Sequence, residues 1–69
     1  VRSMPWVGQR VWVRGSRKNA AWELAVVTSL GQTGTFHYRP LWSRSLTKVF
    51  NPRTMRWEPD EWMGRMSKR

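Results

Sequence analysis

Gly8-Gln9-Arg10-Val11-Trp12-Val13-Arg14, a polar gap, and then Trp22-Glu23-Leu24-Ala25-Val26-Val27-Thr28-Ser29-Leu30 are the stretches that decide the fold. The first alternates strictly, as a half-buried strand does: Val11 and Val13 point one way, and Arg10, Trp12 and Arg14 the other. Gly8 before it and Gly15-Ser16 after it break the pattern. The second is the most apolar part of the chain. Its β-branched centre predicts a central strand, with Leu24 and Val26 on one face and Ala25 and Val27 on the other. Between them, residues 15–20 form a polar loop containing Arg17, Lys18 and Asn19.

Working outward, Gly31-Gln32-Thr33-Gly34 has two glycines suited to positive φ and predicts a turn. A third strand, Thr35-Phe36-His37-Tyr38-Arg39, comes next and stops at Pro40, so the second and third strands form a hairpin. Residues 40–45 fit no regular element and are read as an irregular crossing. Leu46-Thr47-Lys48-Val49-Phe50 is the fourth strand. Asn51-Pro52-Arg53-Thr54 has type I turn chemistry, and Met55-Arg56-Trp57-Glu58 is predicted to return as a hairpin partner of the fourth strand. After Pro59, residues 60–66 are expected to make a short helical turn, with acids at its start and cations at its end.

These elements predict an all-β fold: a small five-stranded SH3-like barrel with a short C-terminal helical turn. The expected boundaries are an N-terminal arm over 1–7, one barrel domain over 8–66 and a frayed basic tail over 67–69. The Gly-x-x-Val-x-Val strand at 8–13 and the Trp-x-x-Ala-x-Val strand at 22–27 resemble the opening of SH3-like barrels of the Tudor, Agenet and KOW kind. They are similar also to the C-terminal DNA-binding domain of retroelement integrases. The resemblance covers about residues 8–38, and it implies a small barrel that binds nucleic acid or peptide. Separately, Val49-Phe50-Asn51-Pro52-Arg53-Thr54-Met55-Arg56-Trp57 looks like the outer hairpin of a kelch repeat. The chain has no double glycine and no room for several blades, so this is read as the same hairpin reached independently.

Sixty-nine residues allow one domain. A chain of this length buries only about 60% of the surface its unfolded form exposes. With no cysteine, neither disulfides nor thiolate metal sites can reinforce it. A single histidine and four acidic residues make a preformed metal site an unattractive reading. Density must come from the six tryptophans, with Phe36, Tyr38 and Phe50 beside them. Each large aromatic removes about 150–250 Å² from water. A domain this small cannot bury all of them, and exposed aromatics beside cations point to binding.

The formal charge is +9, from thirteen Lys and Arg against four Asp and Glu. Residues 1–57 carry ten cations and one acid, Glu23, while residues 58–69 carry three of each. Ten of the thirteen cations are arginine, whose planar fork suits phosphate. Such a field favours nucleic acid, an anionic membrane or an acidic protein surface. No apolar run nears the roughly 18 residues of a membrane span, and no signal-peptide pattern is present. The expectation is a cytoplasmic or nuclear protein away from membranes.

The expected nucleic-acid-binding residues fall in three groups. Arg10, Trp12 and Arg14 share the outer face of the first strand, beside Arg17 and Lys18 in the loop. An indole flanked by guanidinium groups suits a stacked base with phosphates alongside, although Trp12 could equally cap the barrel under arginine stems. His37 and Arg39 extend this surface from the third strand. Arg44, Lys48, Arg53 and Arg56 surround the fourth and fifth strands, with Arg53 at a turn tip. Trp57, Trp62 and Met63 are expected to close one end of the core.

No catalytic residue is assigned, because nothing supplies His37 with an orienting carboxylate or nucleophile at a recognisable spacing. The chain is expected to be no enzyme and to need no cofactor, unless several copies build a shared site. A homo-oligomer is compatible with short edge strands and surplus tryptophans. The expected function is backbone-led, weakly sequence-specific nucleic-acid binding. Two alternatives stand beside it. One is a small accessory or inhibitor protein, of viral type for instance, docking on an acidic protein surface through Trp and Arg. The other is a Tudor-like reader holding a methylated side chain in an aromatic cage, a reading the positive charge opposes.

Overall fold

The computed structural model describes residues 4–60. The chain is all-β: five antiparallel strands form one sheet curled into a half-barrel. They are β1 (Arg10–Arg14), β2 (Glu23–Leu30), β3 (Phe36–Pro40), β4 (Lys48–Phe50) and β5 (Arg56–Pro59), in the spatial order β4-β3-β2-β1-β5. No helix among the described residues is long and apolar enough to cross a membrane. The backbone turns helical at Asp60, and the rest of the helical turn expected at 60–66 lies outside the described residues, as do Trp62 and Met63.

Alternation in the sequence becomes the inner face of the sheet. Val11 and Val13 of β1, Ala25 and Val27 of β2, Phe36 and Tyr38 of β3, and Phe50 of β4 are all buried. Met55 and Trp57 pack against them. Phe36 sits at the centre, fully buried, stacked on Phe50 at 4.5 Å between ring centroids and edge-on to Trp57 at 6.2 Å. This aromatic cluster supplies the density that a cysteine-free chain of this length requires.

β2 is the strand on which the sheet bends. Its register with β3 runs Ala25↔Pro40, Val26↔Arg39 and Val27↔Tyr38, and then shifts to Ser29↔His37. Thr28 is the extra residue of a β-bulge, which bends the strand and reverses the parity of the residues beyond it. Ser29 therefore faces outward with His37, and Ser29 Oγ and His37 Nδ1 share a hydrogen bond at 3.1 Å.

The β2–β3 turn is tight. Thr33 (φ 54°) and Gly34 (φ 83°) are its two central residues, and Thr35 N–H donates to the Gln32 carbonyl at 3.0 Å. Both central residues at positive φ make this a type I′ turn, whose twist matches that of the strands it joins.

The predicted β4–β5 hairpin is corrected by the structure. β4 pairs only with β3, and β5 pairs with β1 at the other edge of the sheet. The reason is direction. After a four-strand meander, a fifth strand antiparallel to β1 runs the same way as β4, so a reversing turn between them is excluded. The Asn51 carbonyl accepts from Thr54 N–H at 3.1 Å and from Met55 N–H at 2.9 Å. That is one helical turn, which carries the chain onward instead of reversing it. Because this short link joins opposite edges, the sheet must curl.

Two smaller boundaries also shift. β4 is confined to Lys48–Phe50, leaving Leu46 and Thr47 exposed. Residues 40–46 form a compact crossing. In it Ser43 N–H donates to the Pro40 carbonyl at 3.0 Å, and Ser43 Oγ accepts from the amides of Ser45 and Leu46 at 3.3 and 3.0 Å.

Candidate nucleic-acid interface

Strand direction decides which loops share an end of the sheet. β1 exits at Arg14, β2 enters at Glu23, β3 exits at Pro40 and β5 enters at Arg56, all at one end. The β1–β2 loop and the link between β4 and β5 meet there. They enclose an open groove of about 510 Å³ lined by Arg14, Gly15, Ser16, Arg17, Lys18, Pro52, Arg53, Thr54, Met55 and Arg56. Five of these ten residues are cationic and none is acidic.

Local hydrogen bonds shape both walls. The Arg17 carbonyl accepts from Ala20 N–H at 3.1 Å, folding the loop back after its two cations. Asn51 Oδ1 accepts from Arg53 N–H at 2.9 Å, an Asx turn that fixes the backbone at the tip. On the sheet, Arg14 and Arg56 are directly opposed across β1 and β5. Like charges in that position repel. Among the described residues, none of the five groove cations forms an ion pair; the ion pairs there are Arg10–Asp60 and Lys48–Glu23.

Of the eleven residues singled out from sequence, the structure brings Arg14, Arg17, Lys18, Arg53 and Arg56 together and disperses the other six. Arg10 pairs with Asp60 at 3.1 Å. Trp12, expected as a free stacking platform, is half-buried and donates its Nε1–H to Asp60 Oδ1 at 3.0 Å. His37 lies on the outer face with Ser29. Arg39 Nη1 donates to the Ser43 carbonyl at 2.6 Å and holds the 40–46 crossing. Arg44 is exposed within that crossing. Lys48 faces inward at the mouth of the half-barrel, and its Nζ lies 3.3 Å from Glu23 Oε1.

A second hollow at the same end of the sheet was not foreseen. It is lined by Ala21, Trp22, Glu23, Leu24, Leu41 and Trp42. Trp42 is 66% exposed, yet its Nε1–H donates to Glu23 Oε2 at 2.5 Å and Lys48 Nζ stands 5.7 Å from its ring centroid. The one signal in the sequence was a tryptophan in a polar, proline-led segment with no place in a strand. Beneath this cluster the Tyr38 hydroxyl is shifted upward from its ordinary pKa of 10.0, first by burial and second by the negative charge of Glu23.

No group of three or more histidine, cysteine or carboxylate side chains able to hold a metal forms among the described residues. Comparison with protein-family models, curated proteins and solved structures finds no match to this chain.

Proposed function

We propose that this protein is a nucleic-acid-binding domain of SH3-like architecture, recognising its ligand mainly through phosphate. One observation carries the reading: five cations converge on a single groove with no acid among its described lining residues, two of the cations opposed across neighbouring strands. An anion lying between Arg14 and Arg56 turns that repulsion into a pair of charge-assisted hydrogen bonds. Four of the five are arginines, suited to bidentate phosphate contacts. The strand order, a four-strand meander closed by β5 on β1, supports the SH3-like assignment.

The peptide-reader alternative is disfavoured by the chain's own side chains. At Trp42, Lys48 already holds the cation position and Glu23 is already bonded to both, so an incoming ammonium would have to displace Lys48. An acidic protein surface would satisfy the groove's charge but would make no use of the bidentate phosphate geometry.

Fluorescence-anisotropy titration of labelled single-stranded DNA, RNA and duplex over a series of salt concentrations tests the proposal, with polyglutamate as competitor. If all five groove cations contact phosphate, the log–log salt slope for a single strand is about −3.5, a loss of affinity of roughly 100-fold for a four-fold rise in salt. Absence of binding at low salt overturns the proposal. Displacement of nucleic acid by equimolar polyglutamate of matched length overturns it in favour of an acidic protein partner.

A further inference from the structure

Trp42 exposes most of a large apolar surface and is nonetheless tethered. Its indole N–H is bonded to Glu23 and one ring face is approached by Lys48, so two contacts restrain the plane of the ring. Neither contact covers the ring, which remains 66% exposed beside Trp22 and Leu41. Pre-ordering of this kind reduces the conformational entropy lost when a flat ligand stacks on the ring.

Position supplies the second half of the argument. The hollow around Trp42 and the cationic groove lie at the same end of the sheet, and the β1–β2 loop borders both, with Arg17 and Lys18 on one side and Ala21 and Trp22 on the other. Lys18 and Trp22 are four residues apart, so their Cα atoms stand within about 14 Å. A phosphate backbone seated in the groove therefore has an aromatic surface within reach of its bases.

Building on the nucleic-acid reading above, we propose that the ligand is a single strand, whose backbone lies in the Arg14–Arg17–Lys18–Arg53–Arg56 groove while a base stacks on Trp42. A base inside a duplex has both faces covered by its neighbours and cannot use the indole; an unpaired base can. Trp6 is equally exposed but precedes β1, at the end of the sheet away from the groove, and takes no part.

The test compares wild type, Trp42→Ala, Trp42→Phe and Trp6→Ala on a labelled oligothymidylate and on a duplex of equal length. Circular dichroism first establishes that each variant is folded. Trp42→Ala is expected to weaken oligothymidylate binding by about 5- to 150-fold with the salt slope and duplex affinity unchanged. Trp42→Phe retains most of the affinity, and Trp6→Ala matches wild type. Unchanged oligothymidylate affinity in Trp42→Ala overturns the stacking inference while leaving the nucleic-acid reading standing. Equal losses on single strand and duplex also overturn it. Should Trp42→Ala not fold, Trp42→Phe carries the test through the fluorescence change on binding: a wild-type change that persists undiminished without this indole refutes stacking on it. Failure of wild type to bind either probe instead removes the underlying reading.

Discussion

Replacing Arg56 by glutamine should make the protein more stable and a poorer ligand binder at the same time. Arg56 is exposed and stands directly opposite Arg14 across the β1–β5 ladder. If side-chain splay holds two guanidinium charges at about 7 Å in water-like surroundings, their repulsion is about 0.6 kcal/mol before salt screening. That lies within the range of about 0.2–1 kcal/mol expected for cross-strand pairs. Glutamine keeps much of the stem and removes the charge, so unfolding free energy should rise by that amount. For a domain of this length the melting temperature should rise by about 1–8 °C. The gain should shrink as salt rises, since screening removes the repulsion.

Binding should move the other way. Losing one phosphate contact lowers the magnitude of the salt slope by about 0.7 on a single strand or 0.9 on duplex DNA, which at 0.1 M salt corresponds to about a 5- to 8-fold loss of affinity. Urea unfolding followed by tryptophan fluorescence measures the first effect, and anisotropy over a salt series measures the second. Destabilisation by Arg56→Gln would show that the fold, not a ligand, holds Arg56. An unchanged salt slope would remove Arg56 from the interface. Either result refutes the reasoning, because the proposal needs a residue that is unfavourable alone and favourable with an anion.

Three further outcomes rest on the fold. Thr33 adopts φ 54° in a type I′ turn although it is β-branched. Thr33→Asn should therefore raise the urea midpoint by an amount equivalent to about 1 kcal/mol. Gly34 has φ 83°, and an added Cβ would lie 3.3 Å from Pro52 Cγ, so Gly34→Ala should lower stability by about 1–2 kcal/mol in the same assay. Tyr38 has its pKa raised by burial and by Glu23. The unfolded chain therefore releases the phenolic proton first, and this contribution to stability is full below pH 10 and declines as pH rises through the native pKa. Phenolate absorbance of the native protein should show a midpoint above 10, and a midpoint at or below it would contradict the burial of Tyr38.

The first three strands were legible because each reads its own alternation. Val11, Val13, Ala25, Val27, Phe36 and Tyr38 are buried as period two requires. The parity change at Thr28 was not legible, since a bulge is set by the pairing strand. Asn51-Pro52 suits a reversing turn and a helical turn equally well. Only the pairing of β5 with β1, more than forty residues away in sequence, decides between them. Alternation puts Trp12 on the outer face, but its partner Asp60 lies 48 residues on and is invisible to local pattern. The groove was legible as charge and not as place: residues 14–18 and 53–56 become neighbours only when the sheet curls.

The carboxylates decide which cations stay unpaired. Asp60 takes Arg10 and the Trp12 indole N–H, withdrawing those two residues of the outer face of β1 from the candidate interface and leaving Arg14 to it. Glu23 takes Lys48 and the Trp42 indole N–H, and in doing so orients Trp42 at the rim while leaving most of it in water. Both acids lie outside the lining of the cationic groove, and the five cations there form no ion pair among the described residues. The opposition of Arg14 and Arg56 costs stability at that pair and leaves a positive field beside an ordered aromatic surface. A phosphate backbone carrying unpaired bases is complementary to that combination.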